Sequence, residues 1–246
     1  MSETPAQRLR WQTAPVIELR AETARVKSIV LDAGGWAGHE AGQHVDVRLT
    51  AQDGYQAQRS YSIASAPEDE QLVLTVERLA DGEVSPYLCD VLEPGDELEL
   101  RGPIGGYFVW QTPPSGQVLL IAGGSGVVPF RSMLRHHHAA GTQVRLIYSA
   151  RSLAEVIYRS ELEALATTGV VDLRLVLTRE WPDDWAGPRG RIDRMALERL
   201  AYPGAQRPLI YICGSSGFVE AAANALVESG HDPALIRTER FGPTGS

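Results

Sequence analysis

Val118-Leu119-Leu120-Ile121-Ala122-Gly123-Gly124-Ser125-Gly126-Val127-Val128-Pro129 marks the point where this chain changes its pattern. The first five residues are an unbroken apolar run, as expected of a strand buried on both faces. The glycines that follow make a tight turn, and Pro129 stands where a helix running to about His138 would begin. A strand, a glycine turn and a helix in succession present free backbone N–H groups to a phosphate, so Gly124, Ser125 and Gly126 are candidate nucleotide contacts.

Downstream, strands over residues 144–149, 171–178, 209–213 and 235–238 alternate with helices over 153–166, from about 194, and over 219–229. That alternation predicts an α/β domain with a doubly wound parallel sheet, binding ligands at the carboxyl ends of its strands. Pro129 replaces the third glycine of the usual dinucleotide fingerprint, which argues against an ordinary Rossmann dehydrogenase. After the second strand, where an acidic residue would hold the ribose of NAD, stands Ser149-Ala150-Arg151-Ser152. Thr178-Arg179-Glu180 follows the third strand, and Gly190-Arg191-Ile192 precedes the next helix. Arg151 and Arg179, with Arg191 close by, could converge on a 2′-phosphate, which favours NADPH while leaving NADH possible. Any one of them could also be an ordinary surface arginine. Cys213-Gly214 ends the fourth strand, where a small thiol can serve packing or a ligand.

Upstream the period is two. Residues 16–20, 26–31, 43–49, 59–65, 71–78 and 98–101 read as strands of a small antiparallel unit, most economically a closed β-barrel of about six strands. Within it, Arg59-Ser60-Tyr61-Ser62-Ile63-Ala64-Ser65 places Arg59 and Tyr61 on one face and Ser60 and Ser62 on the other. The stretch offers a guanidinium for a phosphate, a phenol ring for stacking and a hydroxyl for a ring nitrogen. About twenty residues on, Gly82-Glu83-Val84-Ser85-Pro86 predicts a short helix to about Val91, capped by Ser85, whose start would suit an anion. Residues 111–116, with Pro113 and Pro114, read as a linker, which gives domains 1–111 and 112–246.

Taken in order, these motifs resemble the ferredoxin-NADP+ reductase family. Arg59-Ser60-Tyr61-Ser62 resembles its flavin strand, and Gly82-x-Val84-Ser85-x-x-Leu88 its second flavin motif, associated with FAD more than FMN. Gly102-Pro103-x-Gly105 followed by Tyr107-Phe108 resembles the close of its flavin domain, with one of the two aromatics expected to plug the barrel. Gly123-Gly124-x-Gly126-x-x-Pro129, Cys213-Gly214 and Glu239-Arg240-Phe241 resemble its nicotinamide turn, its nicotinamide-facing pair and its closing segment. The resemblance implies that FAD is held by Arg59, Ser60, Tyr61, Ser62, Gly82, Val84, Ser85, the backbone of Val76 and the ring of Phe241. It implies NAD(P) contacts at Cys213 and Gly214, and catalytic roles for Ser62, Cys213 and Glu239. The implied activity is hydride transfer from NAD(P)H to FAD and onward transfer to a separate ferredoxin, flavodoxin or metalloenzyme component, by a stand-alone reductase without an iron-sulfur domain. Two alternatives stay open: a flavin reductase using free flavin as substrate, and a cofactor-bound subunit that does not catalyse.

Composition is consistent with this. The 246 residues, 43% hydrophobic, suffice for two cores, and the formal charge of -8 argues against a nucleic-acid binder. No apolar run approaches the roughly 18 residues that a membrane span needs, so a soluble, cytoplasmic protein is expected. Cys89 and Cys213 are the only cysteines, too few for a four-thiolate cluster. His136-His137-His138 diverge by about 100° per residue on a helix, so they are not expected to share a metal.

Overall fold

The computed structural model describes residues 9–113, 115–137 and 141–241. Strands β1 (Trp11–Thr23), β2 (Val26–Leu31), β3 (His44–Thr50), β4 (Gln56–Ser62), β5 (Leu72–Glu77) and β6 (Glu97–Ile104) form a six-stranded antiparallel sheet ordered β4-β3-β6-β1-β2-β5. The two edges meet through the Ile63–Leu74 bridge and the Ala64 N–H, which donates to the Val73 carbonyl at 2.8 Å, closing the barrel. Ile29, Leu31, Val45, Val47, Ile63, Leu74 and Leu100 are fully buried inside it. β1 starts five residues before the expected strand. Its first part, Trp11 to Pro15, pairs with β6, and a bulge between Val16 and Glu18 turns the rest onto β2. Pro15 lacks an N–H but its carbonyl still accepts from Asp32 at 3.0 Å, so a proline that reads as a strand breaker sits at a barrel corner.

The second sheet is wholly parallel. Strands β7 (Gln117–Gly123), β8 (Gln143–Ala150), β9 (Asp172–Leu177), β10 (Leu209–Ser215) and β11 (Ile236–Phe241) are ordered β9-β8-β7-β10-β11. Alternate residues supply two cores. Leu120, Ala122, Leu146, Tyr148 and Tyr211 pack on the side of helices α1 (Val128–His136) and α2 (Arg159–Thr167). Leu119, Ile121, Ile147, Ile210 and Ile212 pack on the side of α3 (Arg194–Leu200) and α4 (Ser216–Glu228). The chain reverses direction across the sheet between β7 and β10, so the crevice for a ligand opens at their carboxyl ends. No helix among the described residues is long and apolar enough to cross a membrane.

Three local expectations need correction. The helix expected from residue 153 starts at Arg159, after a separate turn over Leu153–Glu155 and a left-handed Tyr158, whose φ is 58°. Tyr158 is buried and its hydroxyl donates to Thr75 of the barrel, so a cross-domain contact fixes a conformation that helix propensity disfavours. The short helix expected from Ser85 to Val91 is present, with the Leu88 N–H donating to Val84 at 3.1 Å, but it is widened over Tyr87–Val91, where the Leu92 N–H reaches back to Tyr87. Ser85 does not cap it; its Oγ accepts from the Leu79 N–H at 3.1 Å. Nor do Tyr107 and Phe108 plug the barrel. Gly105, at φ 102°, turns the chain outward, leaving Tyr107 63% exposed and Phe108 buried against Phe130 and edge-on to Tyr211 of the second domain. His138 of the expected helix and Pro114 of the expected linker lie outside the described residues.

The domains are joined along α1. Ser132 Oγ donates to the Ser65 carbonyl at 2.6 Å, Arg131 donates to the Ala64 carbonyl, and Arg135 pairs with Asp69 at 2.8 Å. Tyr211 Oη donates to the Val109 carbonyl at 2.7 Å. These contacts bring the end of β4 to the carboxyl end of the parallel sheet.

Candidate active site at the domain seam

Ser62 ends β4 directly opposite His44 at the start of β3. From the other domain, Cys213 and Glu239 lie side by side in the β10–β11 ladder. The seam joins them: Cys213 Sγ is 3.9 Å from one Glu239 oxygen, and His44 Nδ1 is 3.8 Å from the other. Ser62 is buried and its hydroxyl makes no well-aligned hydrogen bond, although it lies close enough to Glu239 to favour the charged carboxylate. Burial dominates the electrostatics. It pushes the Glu239 acid up to about 7, partly offset by Ser62 and Cys213. It also pushes the Cys213 thiol well above its usual range, reinforced by Glu239, so this cysteine is a small neutral group and not a thiolate nucleophile. His44 is pushed down by burial, with Asp46 acting in the opposite direction.

On the barrel side, Arg59 is exposed and pairs with Glu83 at 2.6 Å, while Tyr55 donates to the other Glu83 oxygen at 2.9 Å. Ser60 donates to Asp46 at 2.7 Å, so its hydroxyl serves the β3–β4 ladder. Burial raises the Tyr61 phenol, which stays protonated with its ring packed against the barrel core. Val76 is buried and its carbonyl accepts from Cys89 Sγ at 3.7 Å. A side chain at Gly82 would approach Ser85 Oγ to 2.7 Å, so this glycine lets its own loop close. Val84 and Ser85 beside it are buried, so their side chains are turned inward.

On the nucleotide side, Gly124 adopts φ 56° in the turn Gly124–Val127. A side chain at Gly126 would lie 2.1 Å from the Cys213 carbonyl, so glycine there lets the turn pack on β10. Gly214 plays a similar part against Phe218, whose ring lies 2.9 Å from where a side chain would begin. The N–H groups of Arg179 and Glu180 both donate to the Arg151 carbonyl at 3.0 Å, and the Gly190 N–H donates to Leu177 at 2.8 Å. The backbone at Arg151 and Arg179, and the loop carrying Arg191, therefore gather at one edge, with all three side chains exposed. Phe241 lies beside Ser215 and packs, half-buried, on the core shared by the two domains.

Sequence reasoning missed His44, Glu83 and Tyr55. His44 had one signal: with Asp46 and Arg48 it makes the polar face of an alternation whose opposite face, with Val45 and Val47, is buried in the core. Among the described residues no cluster of three histidine, cysteine, aspartate or glutamate side chains could hold a metal, and His136 pairs with Glu68 at 2.6 Å.

A buried hydroxyl without an aligned partner, a protonated phenol ring and a glycine-lined turn facing them fit a flavin ring on one side and a nicotinamide nucleotide on the other. Residues 17–109 match the oxidoreductase FAD-binding domain, and residues 120–224 the oxidoreductase NAD-binding domain. The chain is 35% identical over 210 residues to the glycine betaine monooxygenase reductase subunit of Chromohalobacter salexigens, covering 82% of this chain but only 56% of that protein. Among solved structures, the FAD/NAD-binding domain of the nitric oxide dioxygenase of Vibrio cholerae superimposes with a TM-score of 0.81 at 28% identity, covering 94% of this chain and 98% of that one. Ferredoxin--NADP reductase B of Sorangium cellulosum is 36% identical over 235 residues, covering 92% of this chain and 91% of that protein. The chain belongs to the ferredoxin-NADP reductase family and pairs a barrel that matches the FAD-binding domain with a parallel-sheet domain that matches the NAD-binding domain.

Proposed function

We propose that this chain oxidises NAD(P)H at its flavin and passes the electrons to a separate redox protein. One observation carries the reading: Ser62 at the end of the flavin-side strand and Cys213, Gly214 and Glu239 of the nucleotide-side sheet meet at one buried seam. FAD supplies the ring that accepts a hydride and releases electrons one at a time. Ser62 would offer its hydroxyl to the bound ring, and Tyr61, its phenol kept protonated by burial, would help hold it. Cys213 and Gly214 would leave room for the nicotinamide, Glu239 would offer it a carboxyl group, and Phe241 would help hold the flavin. The seam keeps water from the reacting atoms. Arg59 and the backbone of Gly82, Val84 and Ser85 hold the pyrophosphate of FAD, with the Val76 backbone along the cofactor. Gly124, Ser125 and Gly126 hold that of the nucleotide. Arg151, Arg179 and Arg191 favour NADPH. The domain boundary belongs between residues 111 and 112.

The acceptor is a ferredoxin, a flavodoxin or the metal centre of an oxygenase component. The Chromohalobacter relative, a monooxygenase reductase subunit, supports the last. The Arg59–Glu83 pair favours a second reading, in which flavin is held weakly and used as a substrate, because an internal carboxylate holds the arginine that a phosphate would need. An anaerobic absorption spectrum of the desalted protein separates the two. A retained FAD band that bleaches on addition of NADPH supports the first; absence of flavin, with saturable NADPH oxidation only when free flavin is added, replaces it with the second.

A further inference from the structure

We propose that His44 is a positioning residue for Glu239, and that imidazole and carboxyl act as one unit holding a single proton beside Ser62. The proposal rests on the function given above and adds a residue to its site. Three observations carry it. The pair spans the domains, from the first residue of β3 to the fourth of β11, with His44 Nδ1 3.8 Å from the Glu239 oxygen. Both side chains are largely enclosed, 25% and 19% exposed, so solvent screens them little. Ser62 stands directly across the ladder from His44 and beside Glu239, which makes the unpartnered hydroxyl the third corner of the group.

The surroundings leave His44 as the one basic side chain paired with Glu239 among the described residues. On β11 itself, Arg237 turns to the carbonyls of Tyr107 and Val109 and to Gln111, and Arg240 donates to Thr238. From β10 the Cys213 thiol faces Glu239 as a neutral group. From β3, Asp46 acts on His44, but its charge is already engaged by Arg101 of β6 at 2.6 Å and by Ser60 of β4. Position 105 lies against the ring: a side chain there would begin 3.6 Å from His44 Nδ1, in ordinary contact with it. The Gln43 side chain holds that loop through the Gly105 carbonyl.

The proton balance is simple. With the proton on His44 Nδ1 the pair is imidazolium and carboxylate; moved to the facing Glu239 oxygen, it leaves imidazole and carboxylic acid. The net charge is the same in both forms, so the seam changes which group is protonated without gaining charge. Closing the gap from 3.8 Å to hydrogen-bond distance takes a movement of about 1 Å.

The test is a titration of the whole FAD-loaded protein by NMR, following the Glu239 carboxyl carbon and the His44 ring nitrogens in wild type, His44→Gln and Glu239→Gln. Loss of the imidazolium should raise the Glu239 midpoint, and loss of the carboxylate should lower that of His44. Coupling requires shifts of opposite sign in the two variants, the larger expected to be at least about threefold in proton affinity. The pH profile of single-turnover flavin reduction by NADPH should move upward by the same amount in His44→Gln, with nucleotide affinity retained. Midpoints that ignore the partner's loss, or a profile that falls in amplitude without moving, overturn the proposal. Should His44→Gln not fold, the His44 titration in Glu239→Gln alone decides. A wild-type flavin that NADPH fails to bleach would instead refute the proposed function, and the NMR coupling would still be readable.

Discussion

Glu239 makes its clearest prediction through stability. Its folded pKa is pushed up to about 7 from a model-peptide value of 4.5, so between those values the folded protein binds a proton that the unfolded chain has released. Stability should therefore fall as pH rises through that window, because folding above it must bury a carboxylate; the full effect is about 3 kcal/mol. Glu239→Gln should abolish this loss, so that in urea denaturation the variant gains on wild type between pH 5 and pH 8 and matches it most closely at pH 5. At the nucleotide edge, Arg179→Ala should reduce the preference for NADPH over NADH by about tenfold, corresponding to one charge-assisted contact, when kcat/KM is compared for the two nucleotides. Residues of this kind were legible where a motif carries them, as with Ser62, Cys213 and Glu239. His44 and Glu83 were not, because each gains its partner only when segments distant in sequence meet.

Among the elements, the turn between β7 and α1 is the most constrained. A methyl group at position 126 would sit 2.1 Å from the Cys213 carbonyl, so Gly126→Ala must push the turn off β10. The expected result is a loss of about 2 kcal/mol of stability together with weaker nucleotide binding, read by thermal melting and by nucleotide titration. This strand, turn and helix were legible because an apolar run, glycines and a proline are local signals. The late start of α2 was not, since Tyr158 takes its left-handed backbone in company with a hydrogen bond to Thr75 across the domain boundary. The short helix after Ser85 was legible from its local marks, but not its missing cap, because the Ser85 hydroxyl is drawn to Leu79, packed under Gly82.

For the whole molecule, the contact between domains makes the site. Phe108 comes from the segment after the barrel yet packs on Phe130 and Tyr211 of the parallel sheet's domain. Phe108→Ala should cost about 3 kcal/mol and split a single melting transition into two, one for each domain, in calorimetry. Two domains, antiparallel and then parallel, were legible from the change in period near residue 117. How they dock was not, because Phe108 and Tyr107 are adjacent aromatics and only the outward turn at Gly105 decides which is buried. In the proposed function, hydride crosses this seam beside Ser62. The most direct test is the anaerobic rate at which NADPH bleaches the flavin in wild type and Ser62→Ala, both loaded with FAD. Hydride transfer beside Ser62 requires rapid bleaching in wild type and a rate at least about tenfold lower in the variant, with FAD still bound; equal rates, or no bleaching in wild type, would rule it out.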